Sequence, residues 1–172
     1  MRARTLSWLY LIVITVWPLA SYGACTINNT AGDDTSNCDS GTAPGFTDTG
    51  GNNTLNVSGT GRVNGNVTFG GGVDKVEISG GQVGAVSQGA GIDSYAQSGG
   101  TVASVAQGDG RDTFRMSGGT ITGAFEDGDD AKMTGGTIGR VDMKLDNNTF
   151  DMSGGRIIGN LVTGLGNDTI LI

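Results

Sequence analysis

Apolar and polar positions alternate along this chain in short runs, and the runs recur. In DKVEISGGQVG, from Asp74 to Gly84, Val76 and Ile78 are separated by one polar residue, a Ser-Gly-Gly follows, and an apolar residue comes next. The phrase returns as DSYAQSGGTVA from Asp93, DTFRMSGGTIT from Asp112, DDAKMTGGTIG from Asp129 and NTFDMSGGRII from Asn148. Period-2 alternation of this length is the mark of a half-buried strand, and Gly-Gly marks a turn. Aligned on Ser58, Ser79, Ser98, Ser117, Thr134 and Ser153, the copies are spaced by 21, 19, 19, 17 and 19 residues. Three residues before the anchor stand Leu55, Val76, Tyr95, Phe114, Ala131, Phe150 and, in an unfinished copy, Ile170. One residue before it stand Val57, Ile78, Gln97, Met116, Met133, Met152 and Ile172. A further apolar column follows the glycines at Val83, Val102, Ile121, Ile138 and Ile157, and another at Val86, Val105, Phe125, Val141 and Leu161. Each unit therefore carries two or three short strands.

A unit of about 19 residues cannot bury its own apolar face, but identical units stacked at strand spacing, about 4.8 Å, can. The expected fold is all-β, a right-handed parallel β-helix, with a sandwich as the weaker alternative. Helices are excluded by 33 glycines, each costing about 1 kcal/mol in a helix interior. Length changes fall in turns, at Thr60-Gly61, Gly70 to Gly72 and Glu126 to Asp130, which suits a solenoid. The repeat domain is expected over residues 52–172. Residues 24–51 lack the phrase and read as an N-terminal cap and linker. The chain ends on apolar Leu171-Ile172, one residue before the next Ser-Gly-Gly would start, which reads as a truncated solenoid.

The first 23 residues change the picture. Arg2 and Arg4 precede an apolar run from Leu6 to Ala20, and small residues follow at Ser21 and Gly23, as in a secretory signal peptide cleaved after Gly23. Export favours a disulfide between Cys25 and Cys38, closing a loop worth about 3 kcal/mol. Lipidation of Cys25 is disfavoured by the bulky Tyr22. Without Arg2 and Arg4 the chain holds eight basic residues against 17 acidic, a net charge of −9. So acidic a surface excludes nucleic acid and anionic lipid as partners, which need clustered Lys and Arg, and favours divalent cations.

Five residues before each anchor stands an Asx: Asn53, Asp74, Asp93, Asp112, Asp129 and Asn148, then Asp168. Four of these end a Gly-x-Gly-x-Asp-x-apolar turn, at Gly70 to Val76, Gly89 to Tyr95, Gly108 to Phe114 and Gly164 to Ile170. The turn resembles the calcium-binding nonapeptide of repeats-in-toxin proteins, although those recur every nine residues and have an acid in both turns. The resemblance implies a calcium column of Asp74, Asp93, Asp112, Asp129 and Asp168, in which a hard cation offsets the repulsion of stacked carboxylates. The alternative, favoured by Asn at two positions, is structural: each Asx caps nearby turn N–H groups and points its charge to solvent.

Catalytic chemistry finds little support. There is no His to activate a serine, and the acids Glu126, Asp127, Asp129 and Asp130 cluster in a turn without an aromatic platform for sugar. Met116, Met133 and Met152 read as core filling, and Thr120-Ile121-Thr122, an ice-binding pattern, does not recur. Secreted, glycine-rich repeats of the form Asx-x-apolar-x-apolar-Ser-Gly-Gly, behind a Cys pair that follows a signal peptide, resemble the passenger domains of bacterial autotransporter adhesins. The resemblance covers Cys25 to Ile172. It implies a non-enzymatic protein of the Gram-negative cell surface that meets a host or bacterial surface ligand, needs no cofactor, and joins the outer membrane only through a C-terminal barrel.

Overall fold

A computed structural model describes residues 24–172; the expected signal peptide lies outside the described residues. The chain winds into a parallel β-solenoid of about seven coils of about 19 residues, with no helix among the described residues. Three faces line the coil. Face A stacks Thr35–Cys38, Thr54–Val57, Lys75–Ile78, Ser94–Gln97 and Thr113–Met116, then the opening halves of Asp130–Asp142 and Thr149–Ile157, and ends at Thr169–Leu171. Face B stacks Thr42–Asp48, Arg62–Phe69, Gln82–Ser87, Thr101–Ala106 and Thr120–Glu126, then the closing half of Asp130–Asp142 and Leu161–Val162. Face C is a ladder of two-residue strands, Gly71–Gly72, Ala90–Gly91 and Asp109–Gly110.

The registers reproduce the apolar columns. Leu55 pairs with Val76, Val76 with Tyr95, Tyr95 with Phe114, Phe114 with Ala131, Ala131 with Phe150, and Phe150 with Ile170. Leu55, Val76, Phe114, Ala131 and Phe150 lose all exposure, and the face B columns close the core from the other side. Phe114 stacks on Tyr95 at 5.3 Å and reaches across the interior to Phe125 at 3.9 Å. Met116 and Met133 fill the same interior, and Met152 packs against it.

The Ser-Gly-Gly corner assigns its two glycines different jobs. The second adopts positive φ, from 69° to 94°, at Gly81, Gly100, Gly119, Gly136 and Gly155, where a Cβ is strained. The first lies against the coil below: a Cβ on Gly118 would stand 2.5 Å from the Ser98 carbonyl oxygen, and one on Gly154 2.5 Å from that of Thr134.

Coiling begins earlier than the repeated phrase. Within the stretch expected as cap and linker, Thr35–Cys38 and Thr42–Asp48 pair in parallel with the next coil. Ser36 and Cys38, both buried, occupy the two apolar columns of face A, and Asp39-Ser40-Gly41 replaces Ser-Gly-Gly, so the face A half of this coil lacks the repeated phrase. The cap is Cys25–Thr26, antiparallel to Thr35–Cys38 with Cys25 opposite Cys38, and the expected Cys25–Cys38 disulfide ties the two.

Candidate functional site

The Asx column lies at the corner where the chain enters face A. There the backbone N–H of each Asx precedes the first rung of the strand ladder, since Lys75 donates to the Asn53 carbonyl and Ser94 to the Asp74 carbonyl. The orphan N–H must find an acceptor. It finds the Asx side chain of the following coil: Asp34 N–H donates to Asn53 Oδ1 at 3.1 Å, Asn53 to Asp74 Oδ1, Asp74 to Asp93 Oδ1 and Asp93 to Asp112 Oδ1, each of these three at 2.7 Å. Asp112 N–H continues to Asp129 Oδ2 at 2.7 Å, and Asn148 N–H donates to Asp168 Oδ1 at 3.0 Å. The column is a ladder that stitches coil to coil.

The ladder differs from the expectation that each Asx caps its own turn and points its charge to solvent. The acids bond the neighbouring coil instead of their own turn, and their charge does not reach solvent, since Asp74, Asp93 and Asp112 are at most 1% exposed. One oxygen of Asp74, Asp93, Asp112, Asp129 and Asp168 is committed to a backbone amide. Among the described residues no three acidic side chains converge as a metal cage would require. Asp129 and Asp168 are only half-buried.

The other oxygen is the unusual one. Oδ2 of Asp74, Asp93 and Asp112 is buried without a hydrogen-bond partner among the described residues, as is Oδ2 of Asp48, one corner below. Burial raises the Asp93 carboxyl to about 7, the amide bond from Asp74 opposes it, and the charges of Asp112 and Asp74 add to it. Asp112 is raised by burial to about 6, with Asp129 and Asp127 adding, and burial also raises Asp74 and Asp48.

Sequence reasoning missed the residues that underlie this corner. Gln88 and Gln107 are fully buried. Gln88 Nε2 donates to the carbonyls of Asp74 at 3.2 Å and Ser94 at 3.0 Å, and Gln107 Nε2 to that of Thr113 at 3.0 Å. The signal was present, since each Gln precedes its Asp by five residues and is followed by Gly. A parallel outer row adds Asp33, Asn52 and Asn147, whose Oδ1 atoms accept from Asn52, Val73 and Asn167.

The acidic turn is bound up in ion pairs. Glu126 is partly desolvated, yet Lys144 at 3.1 Å and Arg140 hold its carboxyl below the usual range, and Asp130 pairs with Arg115 at 2.7 Å. Asp127, at φ 62°, is raised by burial.

Outside the core, a groove of about 650 Å³ runs along face A. One wall is the hydroxyl row Ser58, Ser79, Ser98, Ser117 and Thr134; the other is Asn37, Asn56, Glu77, Ala96, Arg115 and Lys132, one residue from each of six successive coils. No family model, curated protein or solved structure matches this chain.

Proposed function

We propose that the chain is an exported, non-enzymatic surface protein of the autotransporter-passenger kind, in which the solenoid is a stiff stalk and the outside of face A is its adhesive surface. The observation that carries this reading is the uninterrupted groove across six coils. A repeat architecture presents the same kind of group at each step of about 4.8 Å, which suits an extended ligand on a host or bacterial surface. The acidic chain has no affinity for nucleic acid in this reading, and no cofactor takes part. Export to a Gram-negative surface follows from the resemblance and from the basic and apolar N-terminus, with outer-membrane attachment through a C-terminal barrel.

Displaying residues 24–172 on cells as a fusion to a translocating barrel tests it. Cells carrying the chain are expected to bind epithelial layers or abiotic surfaces above the barrel-only control, and Ser79→Arg plus Ser98→Arg should abolish the gain with β-sheet circular dichroism unchanged. Adhesion indifferent to the groove substitutions would refute the assignment of face A. Release of new reducing ends from polysaccharides, lost on Glu126→Gln or Asp130→Asn, would refute the non-enzymatic reading.

A further inference from the structure

The two asparagines of the ladder show what the corner asks of the second side-chain atom. Asn53 and Asn148 sit where the aspartates do, and their amide Nδ2 donates to the carbonyl three residues back, Gly50 at 3.0 Å and Leu145 at 2.9 Å. Asn148 adds a second bond to the Met143 carbonyl. At both asparagines the second side-chain atom is therefore a donor. At Asp74, Asp93 and Asp112 the equivalent atom is Oδ2, and no donor reaches it among the described residues. An ionised carboxylate there is a buried acceptor without a partner, next to more of its kind. A protonated carboxyl presents an O–H in place of the asparagine N–H and still accepts the amide of the coil below through Oδ1.

We propose that Asp74, Asp93 and Asp112 form a proton-holding column, each keeping a proton on Oδ2 in the coiled state, so that the solenoid is tightest in acid and loosens at its middle coils as the pH rises. The groups around the column are acids or neutral. Asp48 bears on Asp74 from below, with Asp34 beside Asp48; Asp129 and Asp127 bear on Asp112 from above, and Asp109 on Asp127. Gln88 and Gln107 pack beneath without charge. Of the nearby cations, Lys144 offsets Glu126 and Asp127, Lys75 pairs with Glu77 on the outer surface, and Arg111 is exposed. The raised carboxyls of Asp93 and Asp112 agree.

The sign follows from linkage. A carboxyl whose folded value lies above its unfolded value of about 3.9 adds stability that is complete below about pH 4, shrinks as the pH climbs, and is gone once the pH passes the folded value. For Asp93 and Asp112 the loss spans pH 4 to about 7. Ion-paired Glu126 has a lowered folded value, so its contribution is lost at the acid end of that range and leaves pH 5 to 8 to the column.

Urea unfolding of residues 24–172 between pH 5 and 8.5 tests the proposal. The wild-type midpoint should fall as the pH rises to about 7 and then level. Asp74→Asn/Asp93→Asn/Asp112→Asn, which copies the natural Asn53 and Asn148 through the whole column, should lose most of this slope and exceed wild type at pH 8. Should that variant not fold, carbon-13 titration of the wild-type aspartate carboxyls decides: two or more midpoints above pH 5.5 support the column, and none above 5 overturns it. A flat wild-type profile also overturns it. So does a wild type whose pH 8 stability is restored by millimolar calcium and removed by a chelator, because a cation, not a proton, would then satisfy Oδ2.

Discussion

Three glycine-to-alanine changes separate the two reasons a solenoid needs glycine. Gly71 lies in face C at a φ open to any residue, and a Cβ there would meet only the Ala90 carbonyl oxygen at 3.6 Å, an ordinary contact. Alanine at that position should be neutral or add about 0.5 kcal/mol by restricting the unfolded chain. Gly41 has φ 73° with nothing within 4 Å of a Cβ, so Gly41→Ala isolates the conformational cost, about 1–2 kcal/mol. Gly108 has φ 93°, and a Cβ would land on the carbonyl oxygen of Gly89 one coil below. That oxygen accepts the Asp109 N–H at 2.9 Å. Relieving the clash means parting the coils and stranding this pair, about 1–3 kcal/mol beyond the conformational term, so Gly108→Ala should cost about 2–5 kcal/mol in all. Solenoids unfold in segments, so urea midpoints should be accompanied by amide exchange at Ala90 and Asp109, which the Gly108 variant should accelerate and the Gly41 variant should not. If Gly108→Ala costs no more than Gly41→Ala, coil spacing is not limited by backbone contact at this corner and the reasoning fails.

Phe114→Ala removes the centre of the Tyr95–Phe114–Phe125 stack and should cost about 3–5 kcal/mol, read by urea unfolding with loss of near-ultraviolet dichroism. Reducing Cys25–Cys38, a link across 13 residues, should lower stability by about 3 kcal/mol and expose the Thr35–Cys38 amides to exchange before those of later coils. Arg140→Ala should cost no more than about 1 kcal/mol at neutral pH, because the side chain is half exposed. It should also bring the Glu126 carboxyl back toward its ordinary value; that group's stabilisation is present above its unfolded value and lost as the pH falls through the folded one, a loss the variant should show at higher pH.

The parts of this fold legible in the sequence are those that one residue per coil announces by itself. Val76, Tyr95 and Phe114 declare a column because an apolar residue at a fixed offset has one physical use, burial against its copies. The first coil was illegible for the same reason, since Ser36 and Cys38 stand where the apolar columns pass. Gln88 and Gln107 were hidden because a glutamine beside a glycine reads as surface until the carbonyls it caps are known, and those belong to turns six and fourteen residues away. The direction of the aspartate charge was beyond local reading too. Each acid's partner is an amide 17 to 21 residues earlier, and only the stacking brings the two together.

That ladder poses a sharper question than the motif did. Asparagine satisfies the corner at both ends, as Asn53 shows, and Asn148 repeats its donor end, whereas ionised aspartate satisfies one end and leaves the other an unpartnered buried acceptor. Folding alone, at neutral pH, favours asparagine at Asp74, Asp93 and Asp112. Yet the middle coils stack Asp74, Asp93 and Asp112 in succession, and beyond the cost of burial Asp93 is charged against Asp112 and Asp74, Asp74 against Asp48, and Asp112 against Asp129 and Asp127. Once these acids hold a proton, the conflict disappears: the carboxyl matches the asparagine amide donor for acceptor, and the repulsion between neighbours is gone. Acid then tightens this column, and the middle coils, which are the centre of the face A groove, are the part whose firmness answers to pH.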